Sequence, residues 1–256
     1  MHPDLFRIGP ITIHTYGVMV AIGFLLGVGL ALNQARKEGI SPERISDLSF
    51  YLLLAAIIGS RVFYILLNPG PYIKNPLAIF KIWEGGLVFY GGLIFAVITG
   101  VIYIKRHSLN LWQVADIFAP SIAIGHAIGR LGCFFAGCCH GRPADLPWAV
   151  TFTDPHSLAP LGIPLHPTQL YEAAGEFVNF IILLILRKRK SFKGELFWTY
   201  VMLYSILRFS VEFFRGDAAR GMLAEGLSLA QAISVIMFFI AVGFMTFLRG
   251  RGAEKR

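Results

Sequence analysis

Seven stretches of apolar residues, each close to the length of a membrane span, dominate the sequence and limit the possible folds. They run over Tyr16–Asn33, Ser46–Leu67, Gly86–Ile104, Val114–Ile128, Leu170–Leu186, Leu196–Phe213 and Leu227–Leu248. A helix of about 20 residues crosses the roughly 30 Å hydrocarbon core of a bilayer. The composition agrees, because 55% of the 256 residues are hydrophobic and only 15% are charged. The sequence therefore predicts an all-α integral membrane protein of seven transmembrane helices, forming a single polytopic domain over residues 1–256.

The basic residues are distributed unevenly between the loops on the two sides of these spans. Most of the 23 lysine and arginine residues follow odd-numbered spans or lie at the C-terminus. The positive-inside rule places those loops and the C-terminus in the cytoplasm and the N-terminus outside. The formal net charge of +8 is thus a topology signal, and no nucleic-acid partner is expected. The polar, proline-containing segment before the first span lacks a basic region, so no cleavable signal peptide is expected.

One connection is longer than the others, from about Gly129 to Thr168 between spans four and five. Its prolines exclude a further long helix, and only WAVTF could form a strand. We expect residues 129–168 to form a small extracytoplasmic cap. The EGGLVFYGG segment at 84–92 would reach the same side, and its paired glycines suit close backbone approach or a re-entrant turn.

Charged residues inside the apolar spans point to function, since each costs several kcal/mol unless it is paired or hydrated. Span six places Tyr204, Arg208, Glu212 and Arg215 on one helical face. Arg61 lies in span two, where packing and substrate binding both remain possible.

Arg130 in span four and Arg208 are expected at a similar depth, in the outer half of the membrane. Two cations at one depth favour a bound anion, and a lipid phosphate matches the bidentate donors of guanidinium groups. His14 and Tyr16 lie at the outer boundary of span one. The sequence therefore predicts a pocket for a lipid head group.

Three cysteines and a histidine, Cys133, Cys138, Cys139 and His140, suggest a metal site at first sight. Structural zinc sites usually have two separate cysteine pairs, and here there is one cluster. The sequence favours close packing of small side chains over a metal ion, with a disulfide from Cys133 to one of its neighbours as an alternative. No metal and no cofactor are expected.

Seven motifs in order resemble the prolipoprotein diacylglyceryl transferase family over nearly the whole chain. They are IHTYG, the arginine-containing second span, WEGGLVFYGGLI, AD-x-x-AP, GRLGCFFAGCCHG, HPTQLYE and LRFSVEFFR. The resemblance implies a bacterial inner-membrane enzyme that transfers the diacylglyceryl group of phosphatidylglycerol to the lipobox cysteine of a preprolipoprotein. Glycerol 1-phosphate would be released.

The resemblance also implies roles for individual residues. Arg130, in the GR-x-G motif, would bind the phosphatidylglycerol head group, and Arg208 would act in catalysis. Tyr16 and Tyr204 fall on tyrosines that line the cavity in the family. Tyr90 stands where many members have histidine. Cys133 likewise stands where many have asparagine.

The reaction makes two demands, which are proton removal from a thiol of pKa about 8.5 and stabilisation of a departing phosphate. Arg130 and Arg208 meet the second demand. For the first, His14 and His166 are candidate bases, and Tyr90 is expected to donate a hydrogen bond. Glu212 is expected to orient Arg208.

A lipid or small-anion transporter is the alternative function, because arginines inside a membrane also mark substrate paths. A transporter of this kind would be expected to show internal repeats, and the sequence has none. A thiol–disulfide enzyme would need a Cys-x-x-Cys pair, which is missing.

Overall fold

Eight α-helices form the framework of the chain in a computed structural model that describes residues 2–9, 11–81, 85–215, 222–224 and 227–253. The helices are α1 (Thr15–Lys37), α2 (Pro42–Leu67), α3 (Pro69–Lys74), α4 (Phe89–Arg106), α5 (Leu111–Ala136), α6 (Thr168–Arg187), α7 (Glu195–Glu212) and α8 (Leu229–Ala253). A 3₁₀ turn covers Pro76–Phe80. Three antiparallel pairs of short strands join β1 (Asp4–Ile8) to β2 (Ile11–His14), β3 (Val150–Thr151) to β4 (Pro164–Leu165), and β5 (Met222–Ala224) to β6 (Leu227–Ser228).

Six helices of the described residues are long and apolar enough to cross a membrane. They are Thr15–Lys37, Pro42–Leu67, Phe89–Arg106, Leu111–Ala136, Thr168–Arg187 and the Leu229–Arg251 part of α8. Many large apolar side chains on these helices are exposed, as expected of surfaces that face lipid. The chain is therefore a helical, multi-pass membrane protein.

Helix α7 covers the predicted sixth span but is not among those six. It carries Glu195, Arg208 and Glu212 within 18 residues, which makes it more polar than the others. Its N-terminus is held by Asp116 of α5, whose carboxylate accepts hydrogen bonds from the backbone N–H groups of Gly194 at 2.8 Å and Phe197 at 3.0 Å. Seven spans remain a prediction.

Helix α5 extends further than expected. The predicted span ended at Ile128, whereas the helix continues to Ala136, so the first residues of the expected cap are helical. Gly137 follows the helix, and its φ of 76° is the left-handed conformation that commonly ends one. Arg130 and Cys133 therefore lie on a helix and not in a loop.

The connection after α5 contains the strand expected within WAVTF, as β3, which pairs with β4. Phe152 and Leu165 of this connection form a small buried cluster, against which Phe134 of α5 packs. The connection is thereby anchored to the end of α5. Its position outside the cytoplasm remains a prediction.

The chain divides into two compact units, Met1–Leu30 with Ala115–Arg256, and Ala31–Val114. In the first unit, α1 and α5 approach closely at Gly23 and Gly125, where a Cβ on Gly23 would lie 2.9 Å from the carbonyl oxygen of Gly125. In the second unit, Gly59 of α2 and Gly91 of α4 face each other so closely that a Cβ on either would meet the other's backbone. A single domain over the whole chain remains a prediction.

Candidate functional site

A buried carboxylate, Glu172 of α6, lies among three arginines in the first unit. Arg130 of α5 forms an ion pair with its Oε2 atom through Nε. Its Oε1 atom lies 3.8 Å from Nη1 of Arg208 in α7 and 3.7 Å from Nη2 of Arg215 just beyond that helix. The side chain of Glu172 is only 1% exposed. Charges from three segments of the chain thus converge on one carboxylate.

Glu212 is a second carboxylate partner of Arg208. It lies one helical turn further along α7 and forms an ion pair with Nη1 of Arg208, as the i, i+4 spacing predicts. Arg208 is therefore held between Glu212 on its own helix and Glu172 on α6. Two partners on different helices restrict the orientation of its guanidinium plane.

A neutral histidine extends this cluster along α5. Nε of Arg130 donates to Nε2 of His126 at 3.2 Å, so the ring proton resides on Nδ1. That Nδ1 atom lies 3.1 Å from Oε1 of Glu176, one turn along α6 from Glu172. Tyr200 also donates to Oε1 of Glu176, at 3.5 Å. Three guanidinium groups are then balanced by the carboxylates of Glu172, Glu176 and Glu212.

Although the charges of this cluster balance, its guanidinium groups still have N–H donors that the carboxylates do not use. Each guanidinium group has five N–H donors, more than its carboxylate partners occupy. Nε of Arg215 has no hydrogen-bond partner within the described residues, although that side chain is only 3% exposed. The cluster can therefore still donate to an anion with several oxygens, such as a phosphate.

Two tyrosines predicted to line the site lie beside these charges. The ring of Tyr204 lies 5.4 Å from that of His126, between centroids. Tyr16 of α1 packs against α5 at Gly132, where a Cβ would lie 3.3 Å from a carbon of the Tyr16 ring. The structure thus brings Arg130, Arg208, Glu212 and Tyr204 together and places Tyr16 against Gly132, two residues along α5 from Arg130.

His14 and Tyr90 have other surroundings. Nδ1 of His14 lies 2.7 Å from Oδ1 of Asp4 across the β1–β2 hairpin, and its side chain is 65% exposed. Tyr90 lies in the first turn of α4 in the second unit, is 60% exposed and contacts the ring of Phe89 edge-on. The catalytic roles predicted for both residues remain predictions.

Arg61 of α2 lies in the second unit and is almost fully buried. Within the described residues, Arg61 donates five hydrogen bonds to backbone carbonyl groups, at 2.7–3.2 Å, and the acceptors belong to Ala78, Ile79, Lys81, Gly85 and Gly86. Gly86 has a φ of 75°, and a Cβ there would lie 2.7 Å from Nη1 of Arg61. The predicted close approach of the paired glycines is confirmed at Gly86, while residues 82–84 of this loop lie outside the described part. These contacts favour packing over substrate binding for Arg61.

Arg61→Ala is expected to lower the free energy of unfolding by about 3 kcal/mol, because several hydrogen bonds from a charged donor are lost together. The loop of residues 76–88 should become sensitive to limited proteolysis. Arg44→Ala is the matched control, since Arg44 is exposed and donates to the carbonyl group of His107. A stable Arg61→Ala protein with impaired lipid binding would instead support the substrate-binding role.

Glu172 and Glu176 were missed by the sequence analysis. The signal was present, because LYEAAGEFVNFIILL places two glutamates one turn apart in an otherwise apolar span. Ionisable residues at such positions mark functional sites or buried partners. The residues that contact Glu172 and Glu176, however, lie on or next to α5 and α7, and periodicity along α6 does not indicate them.

A cavity of about 990 Å³ lies in the same unit. Its lining residues include Arg142, Trp148, His166, Tyr171 and Phe214. Nδ1 of His166 lies 3.2 Å from the Tyr171 hydroxyl group. Burial and the positive charge of Arg142 lower the pKa of His166, so its imidazole is neutral near pH 7.

Known proteins of the same kind match the chain over almost its full length. The sequence profile of prolipoprotein diacylglyceryl transferases matches residues 3–247. Relatives named phosphatidylglycerol–prolipoprotein diacylglyceryl transferase include those of Bacillus licheniformis, 37% identical over 99% of this chain and 95% of that protein, and Geobacter sulfurreducens, 37% identical over 94% and 92%. The Bordetella bronchiseptica protein is 38% identical over 96% and 94%. The chain therefore belongs to the prolipoprotein diacylglyceryl transferase family.

Proposed function

We propose that this protein transfers the diacylglyceryl group of phosphatidylglycerol to the lipobox cysteine thiol of a preprolipoprotein. The observation that carries this proposal is the convergence of Arg130, Arg208 and Arg215 on Glu172 within a helical membrane protein. The names of relatives that match nearly end to end support the same two substrates. The enzyme would work in the bacterial cytoplasmic membrane.

The bond changes define what the site must do. The cysteine sulfur attacks the glycerol carbon that bears the phosphate ester, and a new C–S bond forms as the C–O bond breaks. The departing group is glycerol 1-phosphate, which keeps the bonding electrons, while the thiol proton passes to a base. Negative charge therefore grows on the phosphate oxygens during the reaction.

The arginines would stabilise that charge. Donors fixed before the reaction are the most effective, because they need not reorganise in the transition state. Glu172 and Glu212 hold Arg208 from two sides, and His126 with Glu172 holds Arg130. We assign head-group binding to Arg130 and leaving-group stabilisation to Arg208, with Tyr16 and Tyr204 lining the phosphate site.

The thiol proton requires a neutral base near the site. His166 has a lowered pKa and lines the 990 Å³ cavity, so it is our candidate for this role. His14 is the alternative base, and its Nδ1 atom lies 2.7 Å from Oδ1 of Asp4, which would orient the ring. Tyr90 would contribute a hydrogen bond through its hydroxyl group and would not remove the proton.

The orientation proposed for the chain places the N-terminus outside and the C-terminus in the cytoplasm. Basic residues end several helices, such as Arg36 and Lys37 of α1, Lys105 and Arg106 of α4, and Arg187 of α6. The positive-inside rule assigns these ends to the cytoplasm. The connection between α5 and α6 would then form the extracytoplasmic cap, on the side where preprolipoproteins emerge.

The test uses purified protein in detergent with phosphatidylglycerol and a lipobox peptide, and measures glycerol-phosphate release. Wild-type protein should release it only when the peptide carries its cysteine. Arg130→Ala should lose about 100-fold or more of kcat/KM, because the phosphate loses a charged donor. Arg44→Ala is the control for loss of a positive charge elsewhere.

Each result has a distinct meaning for the proposal. The absence of release from folded wild-type protein would contradict the proposed activity. Release that is unchanged in Arg130→Ala would keep the activity but would move the phosphate site toward Arg208 and Arg215.

A further inference from the structure

The three cysteines of the chain come together where α5 ends. Cys133 lies in the last turns of the helix, and Cys138 and Cys139 follow its left-handed terminus at Gly137. The three Sγ atoms all lie within 4.8 Å of one another. The side chains are partly buried and carry no disulfide. The sequence alone favoured close packing of small side chains at this cluster.

An unusual backbone conformation accounts for this convergence. Cys139 has a φ of 60°, which is rare for a residue with a side chain. In an extended chain, neighbouring side chains point in opposite directions, whereas this left-handed turn keeps both sulfurs near Cys133. Such conformations persist only where the surrounding structure enforces them, and they concentrate at functional sites.

Contacts from α6 enforce the turn. The side-chain amide of Gln169 donates to the carbonyl oxygen of Cys138 at 2.7 Å, and the hydroxyl group of Thr168 donates to that of Cys139 at 2.8 Å. Both donor residues are completely buried. The thiol of Cys138 points back to the carbonyl oxygen of Cys133 at 3.7 Å. The positions of the sulfurs are therefore set before any ligand arrives.

Three cysteine sulfurs held this close together suit a shared cation, because the thiolate form of cysteine is the form that binds metal. A cluster of thiolates carries several negative charges close together, and a bound cation would offset them. These conditions match those in which cysteine binds metal.

The spacing of the sulfurs suits one ion of the size of zinc. With metal–sulfur bonds of about 2.3 Å, three sulfurs around one centre lie roughly 4 Å apart, so the observed cluster needs only a small contraction. Soft thiolate ligands select ions such as Zn²⁺ and Cu⁺ over Mg²⁺ or Ca²⁺. Three protein ligands would leave one coordination position open on zinc.

We propose that Cys133, Cys138 and Cys139 form a three-thiolate site for a thiophilic d¹⁰ cation, Zn²⁺ or Cu⁺. The site is separate from the diacylglyceryl transfer, in which none of the three sulfurs has an assigned role. It does not depend on the proposed function, and the reduced protein binds the cation whether or not it turns over lipid.

The test is a cadmium titration of the full-length protein, purified in detergent, reduced and freed of metal. Cd²⁺ is a spectroscopic substitute for zinc, because its bonds to thiolates absorb in the ultraviolet. One Cd²⁺ per chain should bind, with absorbance proportional to three thiolates, and Zn²⁺ or Cu⁺ should displace it. Each variant Cys133→Ser, Cys138→Ser and Cys139→Ser should lose more than about 100-fold in affinity, since loss of a residue that merely supports a metal ligand costs roughly 10- to 100-fold.

The matched control is His140→Gln, which changes the polar neighbour of Cys139 and should leave cadmium affinity unchanged. If a serine variant unfolds, the wild-type protein is instead treated with a thiol-alkylating reagent. Bound Zn²⁺ should then protect all three thiols from alkylation together. Unchanged cadmium affinity in any serine variant, or protection of only one or two thiols, would overturn the site. Cadmium binding that neither Zn²⁺ nor Cu⁺ displaces would overturn the assignment of the cation.

Discussion

Arg208→Lys is expected to lower kcat for glycerol-phosphate release by about 100- to 1,000-fold, the usual cost of removing one fixed donor from a developing anion. Lysine keeps the positive charge but replaces a planar, forked donor by a single ammonium group. The carboxylates of Glu172 and Glu212 orient the guanidinium group from two helices, and an ammonium group cannot reproduce that orientation. The effect should therefore fall on kcat more than on KM.

The measurement follows initial rates against phosphatidylglycerol concentration, with the lipobox peptide in excess. Arg44→Lys makes the same chemical change at an exposed arginine and should leave both constants unchanged. An Arg208→Lys enzyme with normal kcat and a raised KM would show that Arg208 binds the head group and does not stabilise the departing phosphate.

Glu172→Gln is expected to lower the free energy of unfolding by about 3–5 kcal/mol, because it leaves buried cations without their shared partner. The substitution preserves the size of the side chain, so packing is little changed. What is lost is the negative charge that Arg130, Arg208 and Arg215 share. Activity should fall with stability, since the arginines then lose their mutual alignment.

Glu176→Gln is the matched control in the same helix. Glu176 is as deeply buried, but its partners are the neutral His126 and the hydroxyl group of Tyr200. Removing a hydrogen-bond acceptor that faces neutral donors lowers the free energy of unfolding by only about 1–3 kcal/mol. Thermal unfolding of both variants in detergent should therefore show a larger decrease for Glu172→Gln. Equal decreases would mean that Glu172 acts through local packing and not as the shared counter-ion.

Local features of the chain were predictable from the sequence. The membrane helices follow from runs of apolar residues, because a bilayer requires every backbone group to be bonded within its own helix. The pairing of Arg208 with Glu212 follows from helical periodicity alone. Helix boundaries were less accurate, as at Ala136, since a glycine such as Gly132, which packs against Tyr16 of α1, is tolerated inside a helix.

The class of the protein, its family motifs and the residues that share one helical face could be predicted from the sequence. The contact of Glu172 with three arginines, the bonds from Arg61 to a loop and the convergence of three thiols became visible only in the folded chain. Most of these contacts join residues far apart in the chain, and their distances depend on how whole helices pack. Periodicity specifies the direction of a side chain on its own helix, but it carries no information about which residue of another helix will face it.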